Sequence, residues 1–295
     1  MDASFIVNIL ASGVFGASVL FLVAAGLQLV FGVQKIFNLA CGSFYALGAF
    51  MGVTAVQWAV ASGLPKPLFV LALLGGGLLV AAVGPAVELL LRSVYDRDEA
   101  FQLLLTFAVV LILEDVTRLV WGTVPHSTGG LYLIYGQVQI AGATIPVYNL
   151  LVIAASLIIA GLLGLLLNRT SFGRIIRATA DNREMAEALG VNMRWVYVQV
   201  FTLGTALGTL GGAMVIPTTA TMSEMGIELI VSSFAVVVIG GLGSMRGAVV
   251  GALIVGVVRA LAISAVPQIE MLVIYVIVIG VLVFKPSGIF GRAAS

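Results

Sequence analysis

VYNLLVIAASLIIAGLLGLLLN, residues 147–168, runs for 22 positions without a charged side chain. An α-helix rises about 1.5 Å per residue, so a helix over this stretch would be about 33 Å long. That length covers the roughly 30 Å hydrocarbon core of a bilayer. The stretch therefore predicts a helix that crosses a membrane.

The rest of the chain repeats this pattern. Hydrophobic residues make up 61% of the 295 residues, charged residues only 9%, and the mean hydropathy is +1.19. The apolar runs are continuous, whereas a membrane β-strand would alternate apolar and polar positions over about ten residues. We therefore expect an all-α polytopic membrane protein that forms a single transmembrane domain over residues 1–295. About nine transmembrane helices are predicted, at 5–33, 36–60, 68–91, 101–121, 147–168, 195–216, 226–242, 247–266 and 269–284.

Basic residues indicate the side of the membrane on which each connection lies, because Lys and Arg near span ends are retained in the cytoplasm. With the N-terminus outside and the C-terminus inside, eleven of the fourteen Lys and Arg residues fall in cytoplasmic connections. The outer loop at 122–146 then has none. The loop at 169–194 is predicted to be cytoplasmic. The net charge of +1 gives no reason to expect a nucleic-acid partner.

The sequence ADNREMAEALGVN, residues 180–192, is an unusually polar part of that loop. Asp181 is predicted to cap a helix of about eight residues, with Glu184 three positions later and Gly190 in a left-handed turn at its end. Met185 and Leu189 share an apolar edge, which should be packed on something because so short a helix is marginal alone. Ala186 and Ala188 lie beside this edge, and Arg183, Glu184 and Glu187 turn elsewhere. Lipid headgroups, the bundle itself and a partner that docks on the helix all remain open as its contact.

EMAEALG, residues 184–190, resembles the first half of the EAA loop of ABC importer permeases; the second half of that longer consensus is not visible after Gly190. Four blocks together resemble the LivH-type permease subunit of branched-chain amino acid importers. They are FGVQKIFNLACGSFYALGAFMG at 31–52, SFGRIIRATADNREMAEALGVN at 171–192, VVVIGGLGSMRGAVVGALIVG at 236–256 and KPSGIFGR at 285–292.

The resemblance implies a permease that performs no covalent chemistry. It would work in the cytoplasmic membrane of a bacterium or archaeon as one half of a heterodimer with a second, homologous permease. Two ATPase subunits below would hold ATP and Mg, a periplasmic solute-binding protein would lie above, and no cofactor would bind this chain. A type II-like importer fold with a central second span is implied, and the segment at 36–60 either crosses or re-enters the membrane. The coupling helix would comprise Asp181, Arg183, Glu184, Met185, Ala186, Glu187, Leu189 and Gly190.

One departure from the family bears on the solute. The second-span motif often reads Asn-Phe-Ala-His-Gly, whereas Asn38 is followed here by Leu-Ala-Cys-Gly. Branched-chain or related hydrophobic amino acids are expected, with urea, short amides and aromatic solutes as the alternative. The chain has no GxxxxGK[ST] run, so ATP hydrolysis must come from another chain.

Polar residues near an expected break in the second span, and in the seventh, are candidates for the solute pathway. Broken helices expose backbone groups to a cavity in many transporters. Hydrogen bonds between helices are an equally good explanation for each serine. The candidates are Asn38, Gly42, Ser43 and Tyr45, flanking a break expected at Gly42, with Ser232 and Ser233.

Charges inside spans are costly and therefore informative. Glu114 and Asp115 lie four and three residues before Arg118, so the three can pair on one helical face near the outer end of the fourth span. Arg259 has no acid within four residues, so it should face a cavity or a partner on another helix. In the alternative of a solitary ion-coupled secondary transporter, these four residues would carry the coupling. The only histidine, His126, is expected on the surface without the further ligands a metal would need.

Overall fold

The computed structural model describes residues 3–95, 97–128, 131–285 and 287–291. Arg292, which ends the KPSGIFGR block, lies outside them. These residues form twelve α-helices and one two-stranded sheet. The helices are α1 (Ala3–Gln34), α2 (Cys41–Ala61), α3 (Phe69–Val80), α4 (Gly84–Leu91), α5 (Glu99–Trp121), α6 (Val147–Arg169), α7 (Ser171–Asp181), α8 (Arg183–Ala188), α9 (Met193–Val215), α10 (Met225–Gly240), α11 (Met245–Ala265) and α12 (Glu270–Phe284).

Within the described residues, seven helical segments are long and apolar enough to cross a membrane. They are Ser4–Gln34, Cys41–Ala61, Lys66–Val94, Val147–Arg169, Met193–Val215, Met245–Ala265 and Pro267–Phe284. The other two predicted spans correspond to α5, which carries three charges in its last turns, and to α10, whose 16 residues reach about 24 Å. Nine crossings, and the sides on which the termini lie, stay predictions.

The loop between α5 and α6, predicted to lie outside, contains an antiparallel hairpin of β1 (Gln137–Ile140) and β2 (Ala143–Pro146). Its two-residue turn, Ala141 and Gly142, has positive φ at both positions, the geometry that suits the twist of a tight hairpin. The fold is helical as predicted, and this hairpin is the one strand pair among the described residues. The alternating VQIAGATI pattern was the available signal.

The first helix is the most enclosed part of the bundle. In α1, 78% of the most apolar stretch is buried, against 61% in α2. α6, α9, α10 and α11 all pack around it, and small residues permit the approach: Gly26 lies against Gly204 of α9, and Ala17 against Gly256 of α11. The second span is less enclosed than α1, although it also packs on α3, α9 and α10, so its central position stays a prediction.

The predicted break at Gly42 is also wrong. The chain leaves the helical conformation earlier, between Lys35, which has a φ of 59°, and Ala40. The Asn38 side-chain oxygen accepts a hydrogen bond from the Ala40 amide at 3.0 Å, which organises the start of α2. Gly42 lies in the first turn of α2, where a Cβ would collide with the Gly226 carbonyl of α10. α2 then continues for 21 residues, about 31 Å, which is long enough to cross.

The third predicted span, 68–91, is divided between α3 and α4 by a 3-10 turn at Ala81–Val83. Pro85 follows immediately and has no amide hydrogen to donate to the carbonyl four residues earlier. The helix therefore winds more tightly for one turn, just before the proline interrupts the backbone hydrogen bonds.

Two sets of glycines, one on α9 and one on α11, lie where helices of this chain pack closely. Gly204 faces α1, and Gly212 lies against the Tyr45 carbonyl of α2. Gly247 and Gly251 face Gly240 and Val236 of α10 in the same way. These glycines therefore allow close helix packing inside one subunit.

Gln28, fully buried in α1, fixes the glycine-rich turn between α10 and α11. Its Nε2 donates to the Gly241 carbonyl at 2.9 Å, and its Oε1 accepts from the Gly243 amide. At the end of α10, the Ile239 and Gly240 carbonyls accept hydrogen bonds from the Ile289 and Phe290 amides. One side chain thus joins the central helix to a turn more than two hundred residues away.

Replacing Gln28 by leucine should lower the thermal unfolding temperature clearly. The change leaves the Gly241 carbonyl and the Gly243 amide without their buried partner, and each unpaired group costs about 1–3 kcal/mol. The measurement is a melting curve of the purified protein in detergent. Gln57→Leu is the matched control, since Gln57 is exposed on α2. Equal melting temperatures for the two variants would refute the role given to Gln28.

Candidate functional site

The loop between α6 and α9 is built from three helix starts, each capped by a side chain. Thr170 accepts from the Gly173 amide before α7, Asn182 from the Met185 amide before α8, and Asn192 from the Trp195 amide before α9. The predicted cap Asp181 is wrong by one residue, because Asp181 ends α7 and Asn182 takes the extended conformation of a cap. α8 accordingly has six residues instead of about eight.

The predicted left-handed turn after α8 is confirmed. Gly190 has a φ of 86°, and its amide donates to the Glu187 carbonyl at 2.9 Å. The Val191 amide reaches back to Ala186 at 3.1 Å. A glycine in this conformation ends the helix without the steric penalty that a Cβ would bring.

The apolar edge of α8 faces away from the bundle. Met185 is 59% exposed and Leu189 is 79% exposed, whereas Ala186 alone turns inward with 3%. The described helices therefore leave most of this edge uncovered. Glu184 and Glu187 are exposed beside it, so α8 presents a small apolar surface with an acidic border.

A line of side chains connects α8 to the bundle. The Arg183 guanidinium lies 5.6 Å from the centre of the Tyr197 ring on α9, and Tyr197 meets Tyr95 edge to face at 5.2 Å. The Tyr95 hydroxyl donates to the fully buried Glu88 at 3.1 Å, and Glu88 also pairs with Arg92 at 2.7 Å. Burial, and after it the adjacent Glu88 carboxylate, raises the pKa of Tyr95, so the hydroxyl stays protonated and remains a donor.

A cavity of about 1010 Å³ opens at the opposite end of the helices. The first half of α1, the last turns of α11 and the first turns of α10 and α12 surround it. Its walls are mainly apolar, with Phe5, Phe15, Met225 and Met271 among them. The polar groups are few, so each of them matters for what the cavity can hold.

Arg259 of α11 lines this cavity between two acids from other helices. Its Nη2 lies 2.7 Å from Glu228 Oε1 of α10, and its Nε donates to Glu270 of α12. The prediction that Arg259 finds a partner on another helix is confirmed. With Glu224 also in the wall, acidic side chains outnumber the one arginine, and the cavity disfavours anions.

The acidic cluster on α5 pairs as expected but does not line this cavity. Arg118 contacts Glu114 at 2.5 Å and Asp115 at 3.9 Å, and Glu224 adds a contact at 3.9 Å. His126, nearby, is only partly exposed: its ring nitrogen lies 2.8 Å from the Trp121 carbonyl, and its backbone pairs with Thr221. These contacts tie the outer loop to the connection between α9 and α10.

Among the six predicted pathway residues, the structure places only Tyr45 in the wall of the 1010 Å³ cavity. The Asn38 side chain accepts the capping hydrogen bond from Ala40, and Gly42 packs against α10. Ser43 faces a separate void of about 10 Å³ beside Glu114. Ser232 and Ser233 are fully buried, and neither hydroxyl has a hydrogen-bond partner in the described residues.

Sequence reasoning missed Glu228 and Glu270. It expected a partner for Arg259 on another helix but did not identify the acids, which come from the first turns of α10 and α12. An acid in the first turn of each of these two apolar helices was the available signal.

Comparison with known proteins gives consistent matches over nearly the full length. The family model for the branched-chain amino acid transport system permease component matches residues 9–282. The chain is 26% identical to the high-affinity branched-chain amino acid transport system permease protein BraD of Pseudomonas aeruginosa, over 96% of this chain and 95% of BraD. It is 24% identical to the corresponding protein LivH of Escherichia coli K12, over 95% and 94%.

A solved structure has the same fold. An ABC transporter of the metal-chelate type, in an inward-facing conformation, superposes with a TM-score of 0.51 over 94% of this chain and 86% of the other, at 17% identity.

Proposed function

Since the chain belongs to the family of branched-chain amino acid transport system permease components, we propose that it is moved by separate ATPase subunits through α8. It is a multi-pass protein of the cytoplasmic (inner) membrane and a transport subunit of the ABC class. The proposed cargo is a branched-chain or related hydrophobic amino acid. ATP and Mg are held by the partners, and this chain binds no cofactor.

The observation that carries the coupling proposal is the exposed apolar edge of α8. A six-residue helix has marginal stability in water. This one is stabilised by the cap at Asn182 and by the left-handed turn at Gly190. Met185 and Leu189 stay mostly exposed in the described part of the chain. A cleft on an ATPase would bury both side chains and leave the acidic border accessible to basic groups at its rim.

The aromatic and ionic contacts between α8 and the bundle would transmit a movement of α8 to the membrane helices. A displacement of Arg183 acts on Tyr197 of α9, and through Tyr95 on Glu88 of α4. The Gln34 side chain at the end of α1 also donates to the Tyr197 carbonyl, at 3.2 Å. Tyr197 therefore links α8 to the most enclosed helix of the bundle.

We place the 1010 Å³ cavity on the outer side of the membrane, and this outer cavity is the proposed entrance for the solute. Charged side chains on membrane helices must face water or protein, and Glu228 is half exposed toward the cavity. A zwitterionic amino acid suits this site because its ammonium group can approach Glu228 while an apolar side chain contacts the walls. The second permease of the heterodimer would complete the open side, and the binding protein would deliver the solute from above.

A solitary ion-coupled transporter is not favoured. The family comprises permease components, and the charges that would carry ion coupling are paired within the chain: Arg118 with Glu114, and Arg259 with Glu228 and Glu270.

Purification of the chain in mild detergent, with its genomic neighbours co-expressed, tests the proposal. We expect two ATPase subunits and a second multispan subunit to co-purify, and the reconstituted complex to take up leucine only with ATP and the loaded binding protein. A Walker-site variant of the ATPases is the control for energy coupling. Full uptake by the chain reconstituted alone would overturn the proposal.

A further inference from the structure

A second cavity, of about 710 Å³, lies at the end of the bundle that carries α7 and α8. It is bounded by α1 and α6, by α7, and by the turn between α10 and α11. Along α1 it extends from Phe21 to Lys35, which corresponds to about 21 Å of helix. This length is about half of the 40–45 Å thickness of a bilayer with its headgroups.

The inner part of this cavity is apolar and the rim is basic. The apolar wall includes Phe21, Leu29 and Val33 of α1, with Leu163 and Leu167 of α6. At the rim, Lys35, Arg177 and Arg246 come from three separate elements, and Asp181 is the one acid in the lining. The rim therefore carries an excess of positive charge above a wall with the length of an acyl chain.

Arg177 is already fixed in place. Its Nη1 donates to the Leu167 carbonyl at the end of α6 and lies 3.4 Å from Asn168 Oδ1. A guanidinium has five N–H donors, so others remain for an anion. Lys35 and Arg246 are exposed at the same rim.

We propose that this cavity binds an anionic phospholipid, with its phosphate at Lys35, Arg177 and Arg246 and one acyl chain along α1. Charge complementarity favours an anionic headgroup over a zwitterionic one, and basic pockets between membrane helices are typical sites for such lipids. A soluble anion would leave the apolar wall without a partner. α6 forms one wall of the cavity and exposes Leu157, Leu162 and Leu165 on another part of its surface, as expected of a helix that borders lipid.

The site lies next to the start of α8, since Asp181 belongs to the lining and Asn182 caps α8. A bound lipid would therefore contact the last turns of α7 and hold in place the residues that lead into α8. This proposal concerns a lipid and is independent of which solute the protein moves.

Native mass spectrometry of the purified complex tests it, with dioleoylphosphatidylglycerol and dioleoylphosphatidylcholine as the probes. Phosphatidylglycerol should remain bound to the wild type. Lys35→Gln combined with Arg246→Gln should weaken this binding by about thirtyfold, because each cation near an anionic headgroup contributes about fivefold. Arg174→Gln combined with Arg194→Gln is the matched control, since both are exposed arginines outside the cavity lining. A melting curve checks that the variants fold.

Four outcomes would overturn the proposal. They are equal loss of phosphatidylglycerol in the control pair, retention in the Lys35 and Arg246 pair, equal binding of phosphatidylcholine, and displacement by millimolar inorganic phosphate. Complete loss of the lipid on assembly with the ATPases would also overturn it, because the cavity would then be a protein-docking surface.

Discussion

Replacing Leu189 by arginine is expected to abolish uptake, and with it the stimulation of ATP hydrolysis by the loaded binding protein, while the bundle stays folded. Leu189 is 79% exposed, so the change removes almost no contact within the chain. In an ATPase cleft, however, it would bury an unpaired charge, which costs several kcal/mol. At about 1.4 kcal/mol for each factor of ten, coupled transport should fall by roughly a hundredfold or more. Uptake and ATPase rates in proteoliposomes measure the effect.

Ala178→Arg is the matched control, because Ala178 is exposed on α7 in the same loop and gains the same charge. It should retain near wild-type transport. Gly190→Pro provides a second test, since proline requires a φ near −65° and Gly190 has 86°. Normal transport by Leu189→Arg would refute the role of α8, and an equal loss in Ala178→Arg would indicate a general effect of charge on the loop.

Replacing Arg259 by glutamine should give the second large effect, on both stability and uptake. Glu228 and Glu270 would then face each other at the outer cavity without the guanidinium between them. Removing one partner of a well-buried pair costs about 3–5 kcal/mol, and the partial exposure of these groups reduces this to about 1–3 kcal/mol. Uptake should fall about tenfold or more, because repulsion between the acids moves α10 and α12 apart.

Arg259→Lys separates charge from geometry. A single ammonium keeps the charge but lacks the fork with which the guanidinium contacts both acids, so it should rescue uptake only in part. Arg118→Gln is the control, since Arg118 is also paired on the outer side but does not line the cavity. Unchanged uptake and melting temperature in Arg259→Gln would contradict the account of this cluster.

The features predicted correctly from sequence depend on nearby residues. The end of α8 was located because Gly190 follows a short polar helix, and local hydrogen bonds decide that turn. The pairing of Arg118 with Glu114 followed from their spacing of four on one helix. The cap was misassigned because Asp181 and Asn182 are both good capping residues and only the backbone conformation distinguishes them.

The features that were missed depend on residues far apart in the chain. Gly42 is needed because α10 approaches α2 there, and Arg259 is balanced by acids from two other helices. Gln28 forms hydrogen bonds with a turn far along the chain, and no local sequence pattern indicates that the two are close in space. The central position of α1 had the same cause, since periodicity cannot rank one uniformly apolar helix above another.

Cross-linking from α8 tests the central claim most directly. The single cysteine, Cys41, is buried, so Leu189→Cys adds an accessible thiol, and Val138→Cys on the outer hairpin is the control. In the purified complex, a short bifunctional reagent should join residue 189 to an ATPase subunit and residue 138 to none. An ATPase cross-link from residue 138, or none from residue 189 in an intact complex, would contradict the account.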